Sequence, residues 1–363
     1  MPSRNSEVKT DAAAKTAVNA KTCADVRKVA VIGTGSWGTA AAGLVAANAD
    51  DVVIWARSAE VAAAINRDHM NPRHLTDYRL PAGVRATSDP AGCIADAYVF
   101  AVPSSYLRDV ARKFAGVIAP DAPAVVLTKG IEPDTHRLMA DVVADEIGHP
   151  ERMAALSGPN HAEEICRGMV SAAVVASASQ QVAETFQRLF VSPSFRVYAS
   201  TDLKGVEVCA AVKNVIAIAC GVAVGLGAGD NTLAVLMTRG LAEIGRISAA
   251  TGGDPMTCMG LAGMGDLIAT CTSRHSRNRT FGEAFVAGES LEAYENRTHM
   301  VVEGARAAES TLQVASEYGV ECPITRAVHA ILYEGADVSS AIDSLLDRTP
   351  RKEFYGIDDV QRA

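Results

Sequence analysis

Three glycines, Gly33, Gly35 and Gly38, stand as G-x-G-x-x-G in VAVIGTGSWGTAAAGLVAAN, between a β-branched run and an alanine-rich stretch. No other feature restricts the fold as much. Gly33 suits the tight turn that leaves a strand, Gly35 lets a diphosphate approach the backbone, and Gly38 lets a helix pack closely on the strand. Free amides at the helix start, together with the helix dipole, favour that diphosphate. Ser36 and Trp37 lie in the loop, placed to contact or cover it, and Trp37 is equally suited to packing. The alternative is a glycine-rich turn without a ligand, and the strand-loop-helix context weighs against it.

The runs KVAVIG (28–33), DVVIWA (51–56), AYVFAV (97–102), AVVLTK (124–129), AALSG (154–158), SAAVVA (171–176) and FRVYAS (195–200) read as strands. Helical stretches such as EVAAAINRD, YLRDVARKFA and HRLMADVVADEIG separate the early ones, which predicts parallel pairing and right-handed crossovers. The expected fold is α/β, a Rossmann-type doubly wound sheet. After about Ser200 the strand-like runs stop, and LKGVEVCAAVKNVIAIACGVAVG, TLAVLMTRGLAEIGRISAATG and ESTLQVASEYG read as helices. A length of 363 residues accommodates two domains. The expected division is a flexible tail over 1–26, a nucleotide-binding domain over 27–200 and an all-helical substrate-binding domain over 201–363. VIAIACGVAVGLGAG (215–229) is strongly apolar, but its 15 residues with four glycines fall short of the roughly 20 that a membrane span needs. It reads as a buried core helix.

The charge balance of 34 basic against 42 acidic residues, net −8, argues against a nucleic-acid partner. Residues 1–25 lack the apolar core of a signal peptide, so a cytoplasmic protein is expected. The eight cysteines form no C-x-x-C pair and read as buried free thiols. The eight histidines include no H-E-x-x-H, so no metal site is expected.

In a doubly wound fold the chemistry lies at the carboxyl ends of the strands. The second strand ends in Arg57, where an acid for the ribose 2′-hydroxyl of NAD is usual. An arginine there suits a 2′-phosphate, which predicts NADPH over NADH. A solvated surface Arg57, with Glu60 serving NADH, is the alternative. Lys129, in LTKGIEP, sits in a loop where a cation reaches a ligand, although a surface lysine needs no such explanation. Lys213 stands beside Asn214 in the apolar helix CAAVKNVIAIA. Burial there lowers its pKa toward the range of a general acid or base; pairing with an acid or snorkelling is the structural alternative. Asp266 follows the glycine-rich turn of GLAGMGDL, and SRHSRNRTFG gathers Arg274, Arg277 and Arg279 with Ser276 and Asn278. Such a run suits a small phosphate, unless it is merely a basic surface loop.

Taken together and in order, GTGSWGTA, WAR, LTKGIE, SGPNHAEE, VEVCAAVKN, GLAGMGDLIATCTSRHSRN and VVEGARAA resemble the bacterial NAD(P)-dependent glycerol-3-phosphate dehydrogenases over about residues 27–350. The resemblance implies interconversion of dihydroxyacetone phosphate and sn-glycerol 3-phosphate for glycerophospholipid synthesis, and a homodimer. It implies that Lys213 is the proton donor and acceptor, with Asn214 touching substrate, and that Lys129 meets both cofactor and substrate. Asp266, Ser276, Arg277 and Asn278 match substrate contacts, with Arg277 also on the cofactor side. Gly158, Asn160 and Ala162 match the loop near substrate and nicotinamide, and Val301 and Glu303 match further cofactor contacts. His161 stands where many members carry Phe.

In the synthetic direction, hydride from the reduced nicotinamide reaches the carbonyl carbon while Lys213 protonates the oxygen. Lys129 and Asp266 orient the site, and Arg277 and Asn278 grip the phosphate. Two other readings are a β-hydroxyacid dehydrogenase or ketoacid reductase, which would need a carboxylate site, and a non-catalytic NADPH-binding sensor, for which the lysines and Asp266 are superfluous.

Overall fold

A computed structural model describes residues 26–349, 351–353 and 355–357. The expected tail lies outside the described residues except for Val26, which is buried. Eight strands form one sheet: β1 (Lys28–Ile32), β2 (Asp51–Trp55), β3 (Val84–Thr87), β4 (Ala97–Phe100), β5 (Ala124–Val126), β6 (Met153–Ser157), β7 (Ser171–Ala176) and β8 (Phe195–Ser200). Their order is β3-β2-β1-β4-β5-β6-β7-β8, so the strand order reverses at β1, where Val31 lies opposite Ile54 on one side and Val99 on the other. Strand residues alternate between faces: Val29 and Val31 enter one core, Ala30 and Ile32 the other. Helices α1 (Ser36–Val45), α2 (Ala59–Asp68) and α6 (Gln180–Phe190) cover the first core, and α3 (Ser104–Phe114) and α4 (Met139–Ile147) the second.

Two features depart from the sequence reading. The edge strand β3 was not anticipated; in its VRAT segment Val84 and Ala86 are buried, and exposed Arg85 pairs with Asp51. Pairing is also not parallel throughout, because β6 and β7 run antiparallel with Leu156 opposite Val175. The connection between them carries only the five-residue α5 (Ala162–Cys166), too short to cover a sheet face as the longer crossover helices do.

The remaining chain is helical: α7 (Leu203–Gly225), α8 (Asp230–Ala250), α9 (Asp266–Thr272), α10 (Arg277–Val286), α11 (Leu291–Thr298), α12 (Glu303–Glu317), α13 (Pro323–Tyr333) and α14 (Val338–Leu346). Helix α7 has 23 residues and is long and apolar enough to cross a membrane, so the length argument against a span does not hold. What decides its place is packing. Helices α8, α10 and α12 surround it, and 83 % of its most apolar stretch is buried. A Cβ on Gly221 would lie 2.0 Å from the Arg279 carbonyl oxygen, so α7 and α10 meet backbone to backbone. Among the described residues seven cysteines are free, six of them buried; Cys23 lies outside the described residues.

Candidate active site

The glycine loop joins β1 to α1 at the point where the strand order reverses. Gly33 has φ +122°, and a Cβ there would lie 2.5 Å from the Ala101 carbonyl oxygen; one on Gly38 would lie 2.2 Å from that of Gly33. A Cβ on Gly35 would meet nothing within 4 Å. The protein itself therefore excludes side chains at Gly33 and Gly38, while the space at Gly35 is open to a ligand. Gly35 caps α1 and no side chain satisfies the first amides of that helix, which fits a diphosphate. Asn71, fully buried, braces the loop from outside: its Nδ2 donates to the Thr34 carbonyl and to Thr39 Oγ1, each at 2.8 Å. In sequence the Asn-Pro pair signals no more than a turn. Ser36 is the first residue of α1. Trp37 stands edge-on to Phe195 at 6.3 Å, as packing would require, although its buried indole N–H has no partner. Arg57 is exposed just beyond β2, beside Ser58, which caps α2.

Four polar side chains singled out in the sequence converge from four segments. Lys129 follows β5, Asn160 follows β6, Lys213 lies inside α7, and Asp266 opens α9 after a π-helical turn over Leu261–Gly265. Asp266 is shared by the two lysines: Lys129 Nζ donates to Oδ2 at 2.6 Å and Lys213 Nζ to Oδ1 at 2.5 Å. Lys129 also reaches Asn160 Oδ1 at 3.3 Å, and Lys213 reaches Thr270 Oγ1 at 2.6 Å. Ser157 Oγ donates to Asp266 Oδ2 at 3.1 Å. Lys213 is thus both buried and paired, which joins two readings that the sequence set against each other. Burial, with a smaller contribution from the Lys129 charge, lowers its pKa to about 8 against the opposing pull of Asp266. Burial alone would raise Asp266, but the two lysines outweigh it and hold the carboxyl below its usual range. Ser157 and Thr270 lie within the runs SGPNHAEE and GLAGMGDLIATCTSRHSRN but are not singled out there as site residues.

A second cluster lies alongside. Asn278 Nδ2 donates to Asn214 Oδ1 at 3.0 Å, and Asn278 Oδ1 accepts the Gly304 amide at 2.9 Å, so α7, α10 and α12 meet at two amides. Ser276 is buried and caps α10 through the Arg279 amide. Arg277 is exposed, and its charge acts on His74 and Glu303. Arg279 is already engaged by the Thr272 carbonyl at 2.7 Å and Glu283 at 3.1 Å. Glu303 opens α12 and accepts from Ser104 Oγ at 2.6 Å; burial raises its pKa. Half-buried Val301 lies two residues before it. Gly158 has φ +153° against β7, and buried Ala162 begins α5. The His161 ring lies 6.4 Å from that of His275 and its Nε2 has no partner; burial and the Lys213 charge lower its pKa.

A diphosphate loop at a sheet switch point, with a buried lysine and carboxylate centre at the carboxyl ends of neighbouring strands, defines a nucleotide-dependent oxidoreductase of the Rossmann type. The profile of the NAD-dependent glycerol-3-phosphate dehydrogenase N-terminus matches residues 28–183, and that of the C-terminus matches 202–343. The glycerol-3-phosphate dehydrogenase [NAD(P)+] of Parafrankia sp. is 46 % identical over 332 residues, 91 % of this chain and 99 % of that one. That of Thermobifida fusca is 45 % identical over 334 residues, 91 % of this chain and 99 % of that one. The crystal structure of glycerol-3-phosphate dehydrogenase from Coxiella burnetii superposes with a TM-score of 0.84 at 34 % identity, covering 89 % of this chain and 99 % of that one. A ketopantoate reductase family structure from Ralstonia eutropha shares the fold alone, at 18 % identity and a TM-score of 0.56 over 88 % of this chain and 99 % of that one. This chain belongs to the NAD-dependent glycerol-3-phosphate dehydrogenase family, and it is an oxidoreductase.

Proposed function

We propose that the protein reduces dihydroxyacetone phosphate to sn-glycerol 3-phosphate, reversibly, with NADPH preferred over NADH. The observation that carries the reading is one buried carboxylate, Asp266, held by two lysines that arrive from the sheet and from the helical domain. Residues 27–200 are assigned to the nucleotide and 201–363 to the substrate. Gly33, Gly35, Ser36, Trp37 and Gly38 would hold the diphosphate, Arg57 the adenosine 2′-phosphate, and Ala162, Val301 and Glu303 the nicotinamide side. Bound NADPH supplies the hydride to the carbonyl carbon.

Lys213, with a pKa of about 8, is mostly protonated at neutral pH and donates its proton to the carbonyl oxygen as charge develops there. Asp266 aims that ammonium, and Lys129 polarises the same oxygen. Asn214, Gly158 and Asn160 line the substrate, while Ser276, Arg277 and Asn278 bind its phosphate and use that remote contact to align the carbonyl. A cytoplasmic homodimer that supplies glycerophospholipid synthesis accompanies this reading, on the strength of the family resemblance. A ketoacid reductase would lack a use for the Ser276–Asn278 run, and a silent sensor a use for the lysines.

The test is NADPH oxidation with dihydroxyacetone phosphate against a panel of non-phosphorylated ketoacids, repeated with Lys213→Ala. The variant is expected to lose about 10²–10⁴-fold in turnover with NADPH binding retained. Near-normal turnover, or a faster rate on a ketoacid, overturns the reading.

A further inference from the structure

One buried acid has no part in this mechanism. Glu207 lies on α7 six residues before Lys213 and is 6 % exposed. Its Oε1 accepts the backbone N–H of Ala140, the second residue of α4, at 2.8 Å. Burial pushes its carboxyl up to about 8, so the protonated form predominates at neutral pH. It also lines a cavity of about 10 Å³ together with Thr128, Lys129, Gly130, Ser157 and Ala210. That volume is about what one water needs.

Lys129 lies in the segment 127–138 between β5 and α4. This segment is closed on itself by the bridge between Ile131 and Leu138. On the sheet side Thr128 Oγ1 donates to the Val102 carbonyl at 2.7 Å and Arg108 donates to Glu132 at 2.6 and 2.8 Å; on the helical side the His136 ring meets Gln313 and Glu317 of α12 at 2.9 and 2.5 Å, and Ile131 packs among residues of α7. Glu207, on the helix that carries Lys213, holds α4 two residues beyond the end of this segment. Both lysines must meet one carboxylate, so their relative placement depends on a link between these two elements.

We propose that Glu207 is a positioning residue: it fixes the start of α4, and with it the Lys129 loop, against α7 so that Lys129 and Lys213 converge on Asp266. The inference rests on the proposed roles of those two lysines. It is tested in the full chain with Glu207→Leu, which removes the tie but fills the space, and Glu207→Gln, which keeps a neutral acceptor for the Ala140 amide.

The leucine variant is expected to lose about 10- to 100-fold in kcat, with its Kd for NADPH within about twofold of wild type, because a small misplacement of the reacting groups slows chemistry without touching the nucleotide. The glutamine variant is expected to retain most of the wild-type kcat. Four results overturn the proposal: unchanged kcat in the leucine variant, a parallel loss of NADPH affinity, a leucine variant that does not fold, or a glutamine variant as slow as the leucine one. The ratios are taken with whichever carbonyl compound the wild type reduces fastest. A wrong substrate then appears as a slow wild-type rate on dihydroxyacetone phosphate, and a wrong role for Glu207 as a failed ratio.

Discussion

Replacing Asp266 by asparagine keeps the size of the side chain and removes the charge that opposes desolvation of Lys213. In the wild type, Lys213 titrates at about 8 because burial lowers it and Asp266 partly restores it. Reduction needs the protonated amine and oxidation the free one. The reduction rate is therefore expected to fall as pH rises through about 8, and the oxidation rate to rise through the same value. Two unit charges about 4 Å apart at an effective dielectric near 20 interact by about 4 kcal/mol. A third of that, about 1.4 kcal/mol, is one pKa unit. Lys129 still repels Lys213 in the variant, so nothing compensates. Asp266→Asn should move both limbs down by at least about one unit, which at neutral pH depletes the protonated amine that reduction needs and enriches the free amine that oxidation needs. The assay is kcat/KM in each direction across about pH 6–10, with nucleotide saturating. Limbs that stay in place, or that move up, would refute the assignment of Lys213 as the titrating acid and of Asp266 as its counter-charge.

Three further outcomes are expected. Arg57→Ala should shrink the preference for NADPH over NADH by about tenfold or more, since a charge-assisted contact to phosphate contributes about 1.5 kcal/mol or more; an unchanged ratio of kcat/KM values removes Arg57 from the cofactor site. Gly38→Ala places a Cβ against the Gly33 carbonyl and should cost about 1–3 kcal/mol of stability along with NADPH affinity. Gly83→Ala, with open space around it, serves as the neutral control in the same thermal melts. Finally, the folded pKa of Glu207 is raised above its unfolded value, so its contribution to stability is complete below about 4.5 and is lost as pH rises toward about 8. Glu207→Gln should make the decline of Tm between those values shallower, and identical slopes would show that Glu207 is not buried as a neutral acid.

Much of the fold was readable because its signals are local. The β-branched runs and the spacing of Gly33, Gly35 and Gly38 report on neighbouring backbone, and α7 was delimited to the residue, Leu203–Gly225. The short strand β3 was missed because four residues, one an exposed arginine, give too little periodicity. The direction of β7 was misread since a strand's own residues do not encode which way its neighbour runs. In the site, Lys213 stood out as a cation in an apolar helix. Arg277 and Arg279 look alike in sequence, yet Arg277 is exposed and Arg279 is bonded to its own helix and to the last residue of α9. Asn71, Ser157, Thr270 and Glu207 did not stand out, and each acts through a partner remote in the chain or on another element.

The sequence by itself determined a dinucleotide loop and a helical second half, because turn geometry, strand alternation and helix periodicity are set by residues a few positions apart. Only the tertiary structure decided that Asp266 serves two lysines, one 137 residues away and the other 53. The pKa of a buried amine depends on which charges the packing places within a few ångströms and on how much water it excludes. Neither quantity exists until β5, α7 and α9 have met.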